Sequence, residues 1–158
     1  MIYVLRNEPS PGAFCDLLDY GVEKCAFAVL IIRPISRMSP RGEEVLKLLE
    51  PHLLEKKVSN QRPGTSKLSE NALVQKYKYG APLAGAIQKL NDRLYSWLQP
   101  NFPEDLCLLR ENGEAWFVSS AHKKDSFFSL GDGESSGLIQ KVPELGRILK
   151  KDDGTHGV

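Results

Sequence analysis

The spacing of apolar residues changes several times along the chain, and each spacing predicts an element. Phe14, Leu17 and Leu18 recur at helical intervals behind Ser10 and Pro11, a hydroxyl and a proline suited to a helix start, and Gly21 stands where such a helix would stop. From Ala26 to Ile32 the chain is continuously apolar, rich in β-branched residues and closed by Pro34, which predicts a strand buried on both faces and central in a sheet. Ser39 and Pro40 begin a second helix. Glu43 and Glu44 suit its positive end, Val45, Leu48 and Leu49 continue its period, and Pro51 ends or kinks it. The pattern does not decide whether helix resumes between Pro51 and Val58. From Ser59 to Asn71 only Leu68 is apolar, which predicts the longest loop of the chain, of a length that tends to be functional or mobile.

A strand is predicted from Ala72 to Tyr79, stopping at Gly80, and a long helix follows from Pro82, with Leu83, Ala84, Ile87, Leu90, Leu94, Trp97 and Leu98 on one face. Pro100 and Pro103 punctuate its end. Asp105–Arg110 and Ala115–Ser120 flank Asn112-Gly113, the dipeptide that tolerates the positive φ angles of a tight hairpin turn. Asp125–Leu130 supplies a third strand of a meander. Gly131 to Gly137 reads as a turn-rich connection, and Leu138, Val142, Leu145 and Ile148 predict a final helix interrupted at Pro143. The predicted class is α+β, with a mainly antiparallel sheet, a meander in the C-terminal half and helices packed on one face.

With 158 residues, this is one ordinary domain, expected over residues 1–150, followed by a polar, flexible tail at 151–158. The 21 Lys and Arg residues against 20 Asp and Glu leave a formal net charge of +1, so no whole-molecule field draws in phosphate backbones or anionic lipid. The longest apolar run is far short of the roughly 20 residues of a membrane helix, and residues 1–8 lack the basic and apolar regions of a secretory signal. A cytoplasmic location and no membrane partner are expected. Cys15, Cys25 and Cys107 are odd in number and unpaired in spacing, reading as free thiols of a reducing compartment. His52, His122 and His156 are scattered, so no metal and no cofactor is assigned.

Ser119, Ser120, His122 and Asp125 are the most enzyme-like cluster, but neighbours on one strand and turn rarely converge as nucleophile, base and orienter. No catalytic residue is assigned; the structural alternative has His122 pairing with Asp125 or a backbone carbonyl. Gly131 to Gly137 lacks the lysine and hydroxyl of a phosphate-binding loop and carries Asp132 and Glu134, which repel phosphate. Lys76-Tyr77-Lys78-Tyr79 is the one basic and aromatic concentration, with Lys56, Lys57, Arg62 and Lys67 close in sequence. On a strand its lysines share one face and its tyrosines the other, a surface for an acidic partner or nucleic acid, or an edge that lysines guard against aggregation. Glu104, Asp105, Glu111 and Glu114 gather around the hairpin, and Trp116 and Phe117 should face opposite ways on a regular strand. The candidate partner-binding set is therefore Lys76, Tyr77, Lys78, Tyr79, Arg62, Glu111, Glu114, Trp116 and His122.

Leu94-Tyr95-Ser96-Trp97, Pro100, Pro103-Glu104-Asp105-Leu106-Cys107-Leu108, Asn112-Gly113, Trp116, Val118-Ser119 and Ala121-His122 together form a pattern that resembles small bacterial proteins, some of them like immunity proteins. Where an acidic residue would follow the histidine, this chain has Lys123. The resemblance implies a non-enzymatic bacterial protein that neutralises a cognate toxin by binding it. The near-neutral charge sets the chain apart from acidic inhibitors of basic nucleases. The alternative is a small hydrolase-like or nucleotide- or nucleic-acid-binding domain using His122 and Asp125 or the Lys76/Lys78 face, although balanced charge disfavours nucleic acid. A homodimer through an open sheet edge is a further expectation.

Overall fold

In the computed structural model, which describes residues 1–62, 67–68 and 70–152, eight strands form one antiparallel sheet. In chain order the elements are β1 (Ile2–Leu5), α1 (Pro11–Lys24), β2 (Phe27–Ile32), α2 (Pro40–Leu49), β3 (Leu53–Ser59), β4 (Ala72–Lys78), α3 (Ala81–Leu90), β5 (Glu104–Leu109), β6 (Ala115–Ser120), β7 (Asp125–Ser129), α4 (Glu134–Lys141), α5 (Leu145–Ile148) and β8 (Leu149–Lys151). The strand order is β3-β4-β2-β5-β6-β7-β1-β8, so the expected meander is present as β5-β6-β7. Among the described residues no helix is long and apolar enough to cross a membrane.

The helices cover one face. Phe14, Leu17 and Leu18 of α1, Val45 and Leu49 of α2, Leu83 and Ile87 of α3, Leu138 of α4 and Leu145 of α5 join a single apolar cluster with the sheet residues beneath them. The opposite face carries a smaller cluster from Val29, Ile31, Val74, Cys107, Leu109, Val118 and Phe127. Leu68, the apolar residue of the long loop, packs against that second cluster, so part of the loop serves as its cover. The loop residues 63–66 and 69 lie outside the described residues.

Both proline-started helices begin as the sequence predicts. The Ser10 hydroxyl accepts from the Ala13 N–H at 3.2 Å and the Ser39 hydroxyl from the Gly42 N–H at 3.0 Å, each satisfying an otherwise orphaned donor of the first turn. Gly21, however, does not stop α1. It lies inside the helix, where a Cβ would come within 3.0 Å of Leu108 Cδ1 and 3.3 Å of Trp116 Cζ3. Glycine is used there for close helix–sheet approach.

Several expected elements change form. The long helix from Pro82 ends at Leu90, and Leu94–Ser96 form a separate 3-10 turn. The apolar period continues past the break because the turn still buries Leu94, Tyr95 and Trp97, with the Trp97 indole N–H donating to the Asn91 carbonyl at 3.0 Å. After Pro51 the chain becomes β3, an edge strand, rather than helix. The Gly131–Gly137 connection is shorter than expected: Gly133, at φ +79°, turns the chain into α4 at Glu134. Residues 2–5 and 149–151, not predicted as strands, pair with each other, and β1 also pairs with β7. Lys151, at the start of the expected tail, thus lies opposite Tyr3, and residues 153–158 lie outside the described residues.

Two irregularities beside β5 re-aim side chains. Leu108 lies opposite Phe117 and Leu109 opposite Ala115, so Trp116 is the extra residue of a β-bulge. Trp116 and Phe117 consequently both enter the helix-side cluster, where each packs on Phe128 at ring-centroid distances of 5.0 and 4.8 Å. The expectation that these neighbours face opposite ways fails for that reason. Phe127 and Phe128 do divide between the two faces.

Candidate functional site: a buried charge network under a loop rim

The second irregularity builds the most distinctive polar site of the molecule. Val29 pairs with Cys107 and Ile31 with Glu104, so β5 carries an extra residue where the register shifts, and Asp105 adopts φ +60°. A regular strand would send Glu104 and Asp105 to opposite faces. The bulge turns both carboxylates toward one guanidinium: Arg33 Nε lies 3.0 Å from Glu104 Oε1 and Arg33 Nη2 lies 2.8 Å from Asp105 Oδ2. A non-glycine residue in the left-handed region costs on the order of 1–3 kcal/mol, which the surrounding bonds offset.

Those bonds are many. Glu104 also accepts from the Gln99 backbone N–H at 2.9 Å and pairs with His122 Nε2 at 3.1 Å. Asp105 accepts from the Ala121 N–H at 2.8 Å and faces Arg62 Nη1 at 3.3 Å. Both carboxylates are 1% exposed, and the two arginines balance their charge. Arg62 further donates to the Ser119 carbonyl at 3.0 Å, and Gln99 donates to the Arg33 carbonyl while accepting from its N–H. A buried charge persists only when paired and hydrogen-bonded in this way.

The network connects four separate stretches of chain: the segment after β2, the loop after β3, the approach to β5 and the β6–β7 turn. Two of the loops it ties down form its rim and carry exposed residues, Ile35 and Arg37 after β2 and His122, Lys123 and Lys124 in the β6–β7 turn. Beside it a cleft of about 600 Å³ is lined by Arg33, Arg37, Met38, Glu43, Val58 and Leu73, among others.

The sequence-predicted residues are dispersed about this site. His122 is at the rim, its side chain 51% exposed, and its partner is Glu104. Arg62 belongs to the network. Ser119 is buried and its hydroxyl donates to the Leu106 carbonyl at 2.7 Å, while Asp125 starts β7 opposite Ser120. Lys76 lies with its ammonium 4.1 Å from the centre of the Phe27 ring, and Lys78 is exposed. Tyr77, Tyr79 and Trp116 are core residues rather than surface ones: Tyr77 donates to Gln75 Oε1 at 2.8 Å and Tyr79 to the Leu18 carbonyl at 2.6 Å. Burial pushes both phenols well above their usual range. Glu111 and Glu114 are exposed at the hairpin turn, at the opposite end of β5 from Glu104 and Asp105, so the four acids do not share a face.

Sequence reasoning missed Arg33, Glu104 and Asp105 as a unit. A signal was present: two acids stand directly before the apolar run Leu106–Leu109, and an arginine closes the apolar run of β2. Opposite charges at the matching ends of two interior strands mark a buried pair.

Among the described residues no group of three or more His, Cys, Asp or Glu side chains is placed to hold a metal ion. Burial pushes the Cys25 thiol up to about 12 and Cys107 up to about 11, and burial with nearby Asp92 also raises Cys15, the least buried of the three. The thiolate is the reactive form, so native protein treated with iodoacetamide near neutral pH should be labelled slowly at Cys15 and at Cys25 and Cys107 only after denaturation. Peptide mapping checks this. Equal native labelling of Cys107 and Cys15 would contradict it.

No known family model, curated protein or solved structure matches the chain.

Proposed function

We infer that this is a non-enzymatic bacterial binding protein, of the immunity type, which neutralises a cognate protein toxin by direct contact in the cytoplasm. The observation that carries this reading is the saturation of the buried network. Glu104 and Asp105 spend their oxygens on Arg33, Arg62, His122 and backbone N–H groups, so they hold loops in place instead of offering a base to a substrate. A rim fixed from beneath loses little conformational entropy when it docks, the condition for tight recognition by loops. Arg37, Lys123 and Lys124 on that rim favour an acidic surface on the toxin. The free thiols of Cys15, Cys25 and Cys107 support a reducing compartment.

The hydrolase-like alternative keeps one favourable observation, the half-exposed His122 held by buried Glu104. Of its two candidate hydroxyls, Ser119 is 2% exposed and already donates its proton to a carbonyl, and Ser120 sits opposite Asp125 across the β6–β7 pair.

Co-expression with the product of the neighbouring gene tests the reading. That product should arrest bacterial growth alone, and this chain should restore growth. Arg37→Glu combined with Lys123→Glu should abolish the rescue while leaving the melting temperature unchanged, and His122→Ala should retain most of it. Absence of toxicity, or full rescue by the doubly reversed rim, would overturn the proposal.

A further inference from the structure

The two edges of the sheet are unlike. The β8 edge is three residues long and carries Lys150 and Lys151, a short and charged strand of the kind that discourages further pairing. The β3 edge is seven residues long, and five of its residues, Leu54 to Val58, are exposed. Exposed large apolar side chains gather there: Leu54 is 55% and Val58 71% exposed, and Leu48, on the helix leading into the strand, is 51% exposed.

Charged edge strands usually protect, because like charges meet in any register in which a second strand approaches. The sequence Leu54-Glu55-Lys56-Lys57-Val58 behaves differently toward its own copy. Two copies joined edge to edge by a two-fold axis normal to the sheet pair antiparallel, with like faces on the same side. Such an axis passes through one residue position. Placed at Glu55 it sets two glutamates against each other, and placed at Lys57 it sets Lys57 against itself and Lys56 against Val58. Placed at Lys56 it sets Glu55 against Lys57 of the partner subunit, and Lys57 against Glu55 of the partner subunit. Toward each end Val58 approaches Leu54 of the partner subunit, the extra residue of a bulge between Leu53 and Glu55, so the regular pairing spans Glu55 to Lys57. Glu55 and Lys57 share the face that holds Lys76 and Val74, so these opposed charges meet directly across the junction. Lys56 meets its own copy at the axis, where long aliphatic stems let the ammonium groups splay apart.

We propose that the β3 edge is a self-recognition surface, and that two copies of this chain join through antiparallel β3 strands centred on Lys56 into one continuous sheet. One strand pair makes a small interface, so the dimer dissociates in the micromolar range. The occupant is a second copy, since the edge is complementary to itself in both charge and apolar content.

Analytical ultracentrifugation of the full chain across the micromolar range, paired with a charge swap, tests this. Glu55→Lys and Lys57→Glu, each alone, should weaken self-association by roughly tenfold or more, because each turns both opposed pairs into like-charge pairs. Mixing the two single variants should restore a heterodimer, and the double variant should restore the homodimer. Exchange protection of the β3 amides should rise with protein concentration. A chain monomeric throughout this range, a dimer indifferent to the swap, or β3 protection appearing only with a different polypeptide would each overturn the proposal. Circular dichroism of the single variants separates loss of pairing from loss of fold.

Discussion

Replacing Arg33 with alanine should destabilise the protein by about 3 kcal/mol, a fall in melting temperature of roughly 6–12 °C. Its guanidinium contacts both Glu104 and Asp105, and those carboxylates are 1% exposed. Without it, two buried negative charges keep, among the described side chains, the Arg62 guanidinium on Asp105 and the His122 ring on Glu104, the latter at the solvent edge. The loss comes mainly from stranding charge, not from the small apolar area of the arginine stem. Arg33→Lys should recover only part of it, because one ammonium cannot match a fork that reaches two carboxylates at 3.0 and 2.8 Å. Thermal unfolding measures the effect; a shift of less than about 2 °C for Arg33→Ala would mean that the network is not coupled to folding.

Trp116→Ala should cost about 3–5 kcal/mol, the usual range for removing a large aromatic from a closed core. Trp116 is 1% exposed, meets Phe128 edge-on at 5.0 Å between ring centres, and has Tyr20 at 6.2 Å. Gly21 leaves room for the indole, and α1 has no side chain there to fill the space its loss would create. Trp116→Phe should cost clearly less. Denaturant unfolding of the three proteins gives the values, and a Trp116→Ala variant with native stability would remove this side chain from the core and return it to the candidate surface residues.

That second prediction marks where pattern reading succeeds and where it stops. Local chemistry is plain in the sequence: Asn112-Gly113 makes its turn with Gly113 at φ +88°, Ser10 and Ser39 cap their helices, and the apolar run of β2 is buried inside the sheet. Alternation is not equally dependable, because a single extra residue shifts a strand by half its period. Strand alternation sets Trp116 opposite Phe117 and would set Asp105 opposite Glu104, a rule that their bulges suspend. Bulges have no strong local composition, and the left-handed conformation of Asp105 is stabilised by Ala121 and by two arginines remote in sequence. The charge network was thus illegible even though each of its members was visible. The short strands at residues 2–5 and 149–151 were missed for a related reason, since their partners lie far away in the chain and four apolar residues alone fit many structures.

The position of β1 also sets an order of events during synthesis. Residues 2–5 are made before the other seven strands of this sheet, yet they lie between β7 and β8, and the backbone N–H of Leu130 bonds to the Met1 carbonyl. β1 therefore waits, unpaired, until residues 125–130 have been translated and the meander has presented its edge. Such a long-range closure is slow to find and comes late. Until then the nascent chain carries two open strand edges where the finished sheet has one closed seam, which makes this segment the natural place for a chaperone to hold.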